Sequence, residues 1–429
     1  MRDLLRTIAL RTNPHWPFTY LNHVPYRLAL ASSIHALRGK RGVRSIYLRH
    51  SSKARGWEPG LSDIDLTVIL EDGLSRRQDY ELVSSCWRTF HRLRRTFPML
   101  GEMELLSRSD LPLWLAHSQT GPGPPRWTLL AGRENRLPIA TDESGWRRRS
   151  INWTLWMYLE LLPPCLERAD SFLRGADVRR RVEKIVNQLR PIQAEAGHAA
   201  STIPANTEAS ELVATAAQAL ERAVAIVDPD TARRTEPNLG VSAIRSGERV
   251  FVVVDSNLPL QQLAEVISAH VPNAPLPRNV FRYAIRQFDP YRYARMCRSG
   301  VTLFGENPLE AIDPPDSQAF ANYYKDRMGD VLLFARGETM FRASPVLLDL
   351  EWQIETALAL LLLLHKGTIP ENLDETAAAW RREFPEHRDA FEAMKRAATR
   401  GDVEAARRGA FHLFRAVADD VSCAARAAG

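Results

Sequence analysis

Asp63 and Asp65 stand one residue apart in Ser62-Asp63-Ile64-Asp65-Leu66, at the entrance to an apolar run that ends at Leu70. Side chains on a strand alternate with period two, so both carboxylates project from one face. Two such charges repel unless a cation lies between them, which makes the pair a candidate divalent-metal site. Mg²⁺ takes one or two carboxylates and completes its octahedron with phosphates and water. Upstream, Ser51 and Ser52 leave a first apolar run, Ser45 to Leu48, at a turn into a short helix. Their hydroxyls and backbone N–H groups suit phosphate there, and Lys53 and Arg55 lie close by to offset charge. Transfer of a phosphoryl or nucleotidyl group needs these parts: metal ions on the phosphate oxygens, donors that hold the triphosphate, and an acceptor hydroxyl held in line.

The surrounding elements must position these groups. The spacing predicts a helix over Pro25 to Leu37, with Pro25 in its first turn and Gly39 as its stop. Strands are expected at Ser45 to Leu48 and Ile64 to Leu70, followed by a long helix over Ser75 to Thr96. A third strand over Glu102 to Ser107 carries Glu102 and Glu104 on one face, and a fourth is expected at Trp127 to Leu130.

The run Ser51-Ser52-Lys53-Ala54-Arg55-Gly56, then Ser62-Asp63-Ile64-Asp65-Leu66, resembles the signature of the polymerase-β-like nucleotidyltransferases. It is closest to their minimal and aminoglycoside branches, whose pattern is Gly-Ser-x-Ala-Arg-Gly, a short loop, then Ser-Asp-x-Asp-Leu. The likeness covers about residues 25–110, and Ser51 stands where the pattern has glycine. It implies an α+β fold with a mixed sheet, and two Mg²⁺ ions held by Asp63, Asp65 and a third carboxylate. The third acid falls on the strand after the long helix, at Glu104, with Glu102 as the alternative on the same face. In the aminoglycoside enzymes that acid serves as metal ligand or general base. By the same resemblance Ser52 contacts the triphosphate, with Ser51 beside it, and Arg55 supports the turn or the phosphates. The implied reaction moves a nucleoside monophosphate from an NTP, by analogy ATP, to a hydroxyl of a small molecule such as an antibiotic or metabolite. A protein or RNA acceptor, and a non-catalytic nucleotide-binding regulator, remain the other readings.

Beyond this core the sequence predicts helices over Trp146 to Leu162, Ala176 to Leu189 and Glu211 to Val227, with a linker at Gln193 to Ser210. Lys184, on the basic second helix of these, reaches phosphate across a cleft or lies on a solvated face. Arg249 to Leu258, followed by a helix expected over Leu260 to Ala269, echoes Leu66 to Leu74 and its helix, and Gly300 to Asn307 echoes Arg126 to Arg133. Either a degenerate second α/β repeat or a chance likeness of short patterns accounts for this; the positions opposite the acidic pair are about Gly247 and Arg249. From Asp316 onward the pattern is helical. The expected organisation is a nucleotidyltransferase domain at 1–143, a helical region with linker at 144–235, the repeat at 236–312 and a helical bundle at 313–429.

The 429 residues carry a formal charge of +6, almost all of the positive charge being arginine. That balance leans towards anionic partners without specifying nucleic acid. Cys86, Cys165, Cys297 and Cys423 show no paired spacing, and the apolar run Ala357 to Leu364 is too short to span a bilayer. A cytoplasmic protein with no membrane partner is the expectation, and nothing in the sequence bears on oligomeric state.

Overall fold

The two apolar runs that flank the acidic pair become the central strands of a four-stranded sheet. The computed structural model describes residues 2–49, 58–60, 62–118, 127–133, 145–159, 171–198, 203–204, 207, 209–233, 242–246, 249–253, 278–279, 282–305, 307, 313–342 and 347–428. Two helices, α1 (Arg2–Thr12) and α2 (Phe18–Arg38), precede β1 (Val43–Leu48). There follow β2 (Ile64–Leu70), α3 (Arg76–Thr96), β3 (Leu100–Ser107), α4 (Leu111–Ser118) and β4 (Thr128–Gly132).

The sheet order is β3-β2-β1-β4. β1 runs antiparallel to β2 and β4, whereas β2 and β3 are parallel. Parallel neighbours need a crossover, and α3 supplies it. Its start is fixed by a capping box in which Ser75 accepts from the Gln78 N–H and the Gln78 side chain reaches back to the Ser75 N–H. Helix α2 begins seven residues before the expected Pro25, which sits inside it on the exposed side. The helix tolerates this proline because the carbonyl left without a donor faces water. Helices α1 and α4 carry no strong sequence signal and were not expected.

Seven elements continue the chain: α5 (Gly145–Leu159), α6 (Ser171–Glu195), α7 (Ala209–Val227), α8 (Pro229–Arg233), β5 (Ser242–Ser246), β6 (Arg249–Val253) and β7 (Arg278–Asn279). Then come α9 (Arg282–Phe288), α10 (Pro290–Ser299) and β8 (Gly300–Phe304). Helix α6 is longer than expected and runs through Pro191 into the stretch read as linker. The second sheet has the order β7-β6-β5-β8. β5 is antiparallel to β6 and β8, and β6 is parallel to β7, so strand order and every pairing direction repeat the first sheet. β6 and β8 contain the Arg249 and Gly300 segments that parallel β2 and β4 in sequence. In both sheets the first strand pairs with the last through a register shift. Only residues 247–248 separate β5 from β6, where 15 residues (49–63) separate β1 from β2. The helix expected over Leu260 to Ala269 lies outside the described residues.

The C-terminal part is helical: α11 (Ser317–Asp326), α12 (Met328–Phe334), α13 (Glu338–Phe341), α14 (Leu347–Lys366), α15 (Leu373–Glu383), α16 (Pro385–Thr399) and α17 (Val403–Ala428). It shares one apolar core with the first sheet: Ile46, Leu66, Val68 and Phe90 belong to the same cluster as Tyr324, Leu358 and Phe414. A separate core joins α5, α6 and α7 to α9 and α10 through Leu155, Ile185, Leu220, Ile285 and Tyr293. The chain is thus α+β, with its apolar interior divided into two clusters that group segments distant in sequence. Among the described residues no helix is long and apolar enough to cross a membrane.

One buried ionic cluster ties the first sheet to the C-terminal helices. Arg336, just beyond α12, is 3% exposed and donates to Asp79 of α3 at 3.0 Å and to Asp110, at the start of α4, at 3.1 Å. Arg415 of α17 lies 3.5 Å from both carboxylates, and the Trp87 indole N–H donates to the Arg336 carbonyl at 2.7 Å. Removing one member of a buried ion cluster leaves the others charged in a poor solvent. Arg336→Ala is therefore expected to lower unfolding stability by about 3–5 kcal/mol, read as a reduced denaturant midpoint at unchanged slope.

Candidate functional site

The loop that delivers the acidic pair is pinned before the strand begins. Gly60 takes a φ of +92°, a conformation that favours glycine. Its N–H donates to the Tyr26 hydroxyl of α2 at 3.1 Å, and that hydroxyl donates to the Ser62 carbonyl at 2.9 Å. The Ser62 hydroxyl accepts from the Glu58 N–H at 2.8 Å, and the Ser62 N–H donates to the Glu58 carbonyl at 2.8 Å. Ser62 is buried by these contacts, and Asp63 next to it is exposed at the mouth of the sheet.

From there the alternation of β2 places Asp63, Asp65 and Thr67 on one face. β3 runs parallel with Thr67 opposite Glu104, and the register shifts between Ile64 and Leu66. Gly101 lies at this irregularity and the two acids pack on it. A Cβ there would strike Asp65 Oδ1 and stand 2.7 Å from Asp63 Cβ. The Glu102 N–H donates to Asp65 Oδ1 at 2.9 Å. Gly101 is what lets the two strands close around the pair.

Glu104 belongs to the same face and is held there. It accepts from the Thr67 hydroxyl at 3.2 Å and makes a close ion pair with Arg49. The other arm of that guanidinium reaches Glu102 at 3.1 Å. Glu102 and Glu104 thus share one cation, Glu102 exposed and Glu104 largely enclosed. Burial pushes the Glu104 carboxyl up to about 7; Arg49 pulls against it, and Glu102 adds to the rise. A carboxyl near neutrality is suited to exchange a proton with a hydroxyl. Arg49 is itself buried, and the charges of Glu104, Asp65 and Glu102 oppose its desolvation and keep it protonated.

Arg49 was not among the residues singled out from sequence, although a signal existed. Tyr47 pairs with Thr67 across β1 and β2. Continuing the period by two residues puts Arg49 on the carboxylate face.

A second set of cations arrives from α6. Arg180 donates to the Ser62 hydroxyl at 3.3 Å, and its other terminal nitrogen, Nη1, is enclosed without a hydrogen-bond partner. Lys184, four residues on and hence on the same helical face, is open to solvent. Its pKa is lowered, first by desolvation and then by Arg180, while Asp63 and Asp65 pull it back up. Lys184 therefore lies within electrostatic reach of both acids. Trp156, on α5, is covered by Arg292. Ser51, Ser52 and Arg55 lie outside the described residues.

Among the described residues no group of three or more His, Cys, Asp or Glu side chains is arranged to hold a metal ion. Asp63 and Asp65 do lie side by side against Gly101, and an acidic pair of this kind matches the one or two protein carboxylates that Mg²⁺ accepts. Glu104 is committed to Arg49 and Thr67.

The closeness of Gly101 to both acids gives a direct test. Gly101→Ala overpacks the junction of β2 and β3 and should cost about 1–3 kcal/mol in unfolding free energy, measured by urea denaturation. Unchanged stability would mean that the acids do not pack on this glycine.

Comparison with protein-family models, curated proteins and solved structures finds no match to this chain.

Proposed function

We propose that the chain is a Mg²⁺-dependent nucleotidyltransferase that moves a nucleoside monophosphate from an NTP to a hydroxyl of a small molecule, releasing pyrophosphate. The observation that carries this reading is the convergence of two groups of residues. Asp63 and Asp65 lie together on one sheet face, and the cations Arg180 and Lys184 face them from a helix on the far side of the mouth. The resemblance around Ser51 to Leu66 supports the same chemistry, with ATP as the donor by analogy.

In this reading Asp63 and Asp65 hold the Mg²⁺ ions, which when bound would neutralise charge on the phosphate oxygens. Arg180 and Lys184 bind the triphosphate tail, the guanidinium using the donor that has no partner in the free protein. Arg49 keeps Glu102 and Glu104 in place on β3 and limits their mutual repulsion. Glu104 takes the proton from the acceptor hydroxyl as that oxygen attacks the α-phosphorus, and the bond to pyrophosphate breaks. Ser51 and Ser52 contribute phosphate contacts, and Arg55 supports them.

An acceptor screen with α-labelled NTPs and Mg²⁺ tests the reading. Label should move to a hydroxyl compound, and Asp63→Asn or Asp65→Asn should reduce transfer to background with the fold retained. Arg180→Ala should raise KM for the NTP about ten- to hundredfold, the equivalent of one lost charge-assisted contact, with a smaller change in kcat. Transfer undiminished in Asp65→Asn would remove the metal assignment. An absence of transfer with every NTP and acceptor, together with NTP binding indifferent to Asp63→Asn, would remove the enzyme.

A further inference from the structure

We propose that a cavity of about 430 Å³ between α10, α14 and α15 binds a small organic oxyanion, a carboxylate or a phosphate monoester, through Arg381. Its volume falls within the range of about 300–1,000 Å³ usual for small-molecule sites. None of the residues around Asp63 and Asp65 lines it, so the inference stands independently of the nucleotidyltransferase reading.

Arg381, on α15, is the reason to expect a ligand. Its side chain is half-buried, its guanidinium carbon lies 5.1 Å from the Trp380 ring centre, and its Nε is enclosed without a partner. Among the described residues it makes no ion pair and no hydrogen bond. A guanidinium carries five N–H donors, and withdrawing it from water without partners is costly. None of the carboxylates of the cavity wall hydrogen-bonds it, although Glu355 lies within its electrostatic reach. Asp374 pairs with Arg298 at 2.6 Å, Glu351 pairs with Lys395 at 3.0 Å, and Glu355 accepts from the Tyr291 hydroxyl at 2.9 Å.

Glu355 is the acid whose charge matters most to the choice of ligand, since it lies at the enclosed end with Tyr291. Burial pushes its carboxyl up, and the neighbouring Glu351 adds to the effect, while Arg381 and Arg295 oppose it. Arg295 stands 5.9 Å from the Tyr291 ring centre and brings a second guanidinium to the same wall. Asp374 and Glu351 are paired with cations, and Arg381 has no ion pair among the described residues, so the cavity favours an anion at Arg381. Planar guanidinium donors match the paired oxygens of a carboxylate or phosphate.

The test is calorimetric titration of the full-length chain carrying Asp63→Asn and Arg180→Ala, without Mg²⁺, so that binding at the acidic site is weakened. One arm uses the phosphate monoesters AMP and glucose 6-phosphate, and the other uses glutamate and citrate. One arm should bind with one site per chain and so identify the source of the oxyanion. Adding Arg381→Gln should weaken that binding at least about tenfold, and Arg382→Gln, on the exposed neighbour, should leave it unchanged. Ala377→Phe, which fills the cavity from its wall, should weaken binding while keeping Arg381. No binding in either arm, or binding equally tight in Arg381→Gln, would overturn the proposal.

Discussion

Four carboxylates crowd one edge of the first sheet, and the placement of cations around them organises the site. Asp63 and Asp65 on β2 and Glu102 and Glu104 on β3 share a face because the two strands run parallel and nearly in register. Their repulsion is met from two directions. Arg49, at the end of β1, bridges the β3 pair from inside the sheet. Arg180 and Lys184 approach the β2 pair from α6. The inner cation is buried with both terminal nitrogens engaged by Glu102 and Glu104, whereas one terminal nitrogen of Arg180 has no partner.

The same division recurs in the scaffold. The first sheet is completed on its other side by the C-terminal helices, with which it shares an apolar core and the buried cluster of Arg336, Arg415, Asp79 and Asp110. Helix α6 belongs instead to the second core, with α5, α7, α9 and α10. The acids and the outer cations are therefore mounted on different packed bodies and meet at the mouth of the first sheet. A change in how the two cores abut would move Arg180 and Lys184 relative to Asp63 and Asp65 without disturbing either core.

The second sheet repeats the order and directions of the first with a two-residue link, 247–248, in place of the 15-residue connection that carries the acidic pair. The short link holds Gly247 and, at the start of β6, Arg249 where the first sheet has Asp63 and Asp65. The sheet architecture is present in both places, and the two differ in the length of the connection between their first two strands.

Much of the local structure was legible in the sequence. β2 was read to the residue, and α3 within one residue, because an apolar run and the helical spacing of apolar residues are written in neighbouring positions. The common side of Asp63 and Asp65, and that of Glu102 and Glu104, followed from strand period; the resemblance singled out Glu104, and the register of β2 on β3 set it opposite Thr67. Arg49 was within reach of the same reasoning, one period beyond Tyr47. Gly101 and Arg180 were not, since their roles depend on contacts that local pattern does not encode. Gly101 matters because β2 and β3 close on it at a register shift, and Arg180 meets Ser62 across a separation of 118 residues. Likewise, periodicity marked the C-terminal segments as helices, but only packing showed that they share a core with the first sheet. By itself the sequence determined which residues lie on one strand or helix face, because side-chain direction follows from backbone period. Tertiary structure alone decided which faces meet, and so which cations answer the acids, because that depends on burial and charge compensation between segments far apart in the chain.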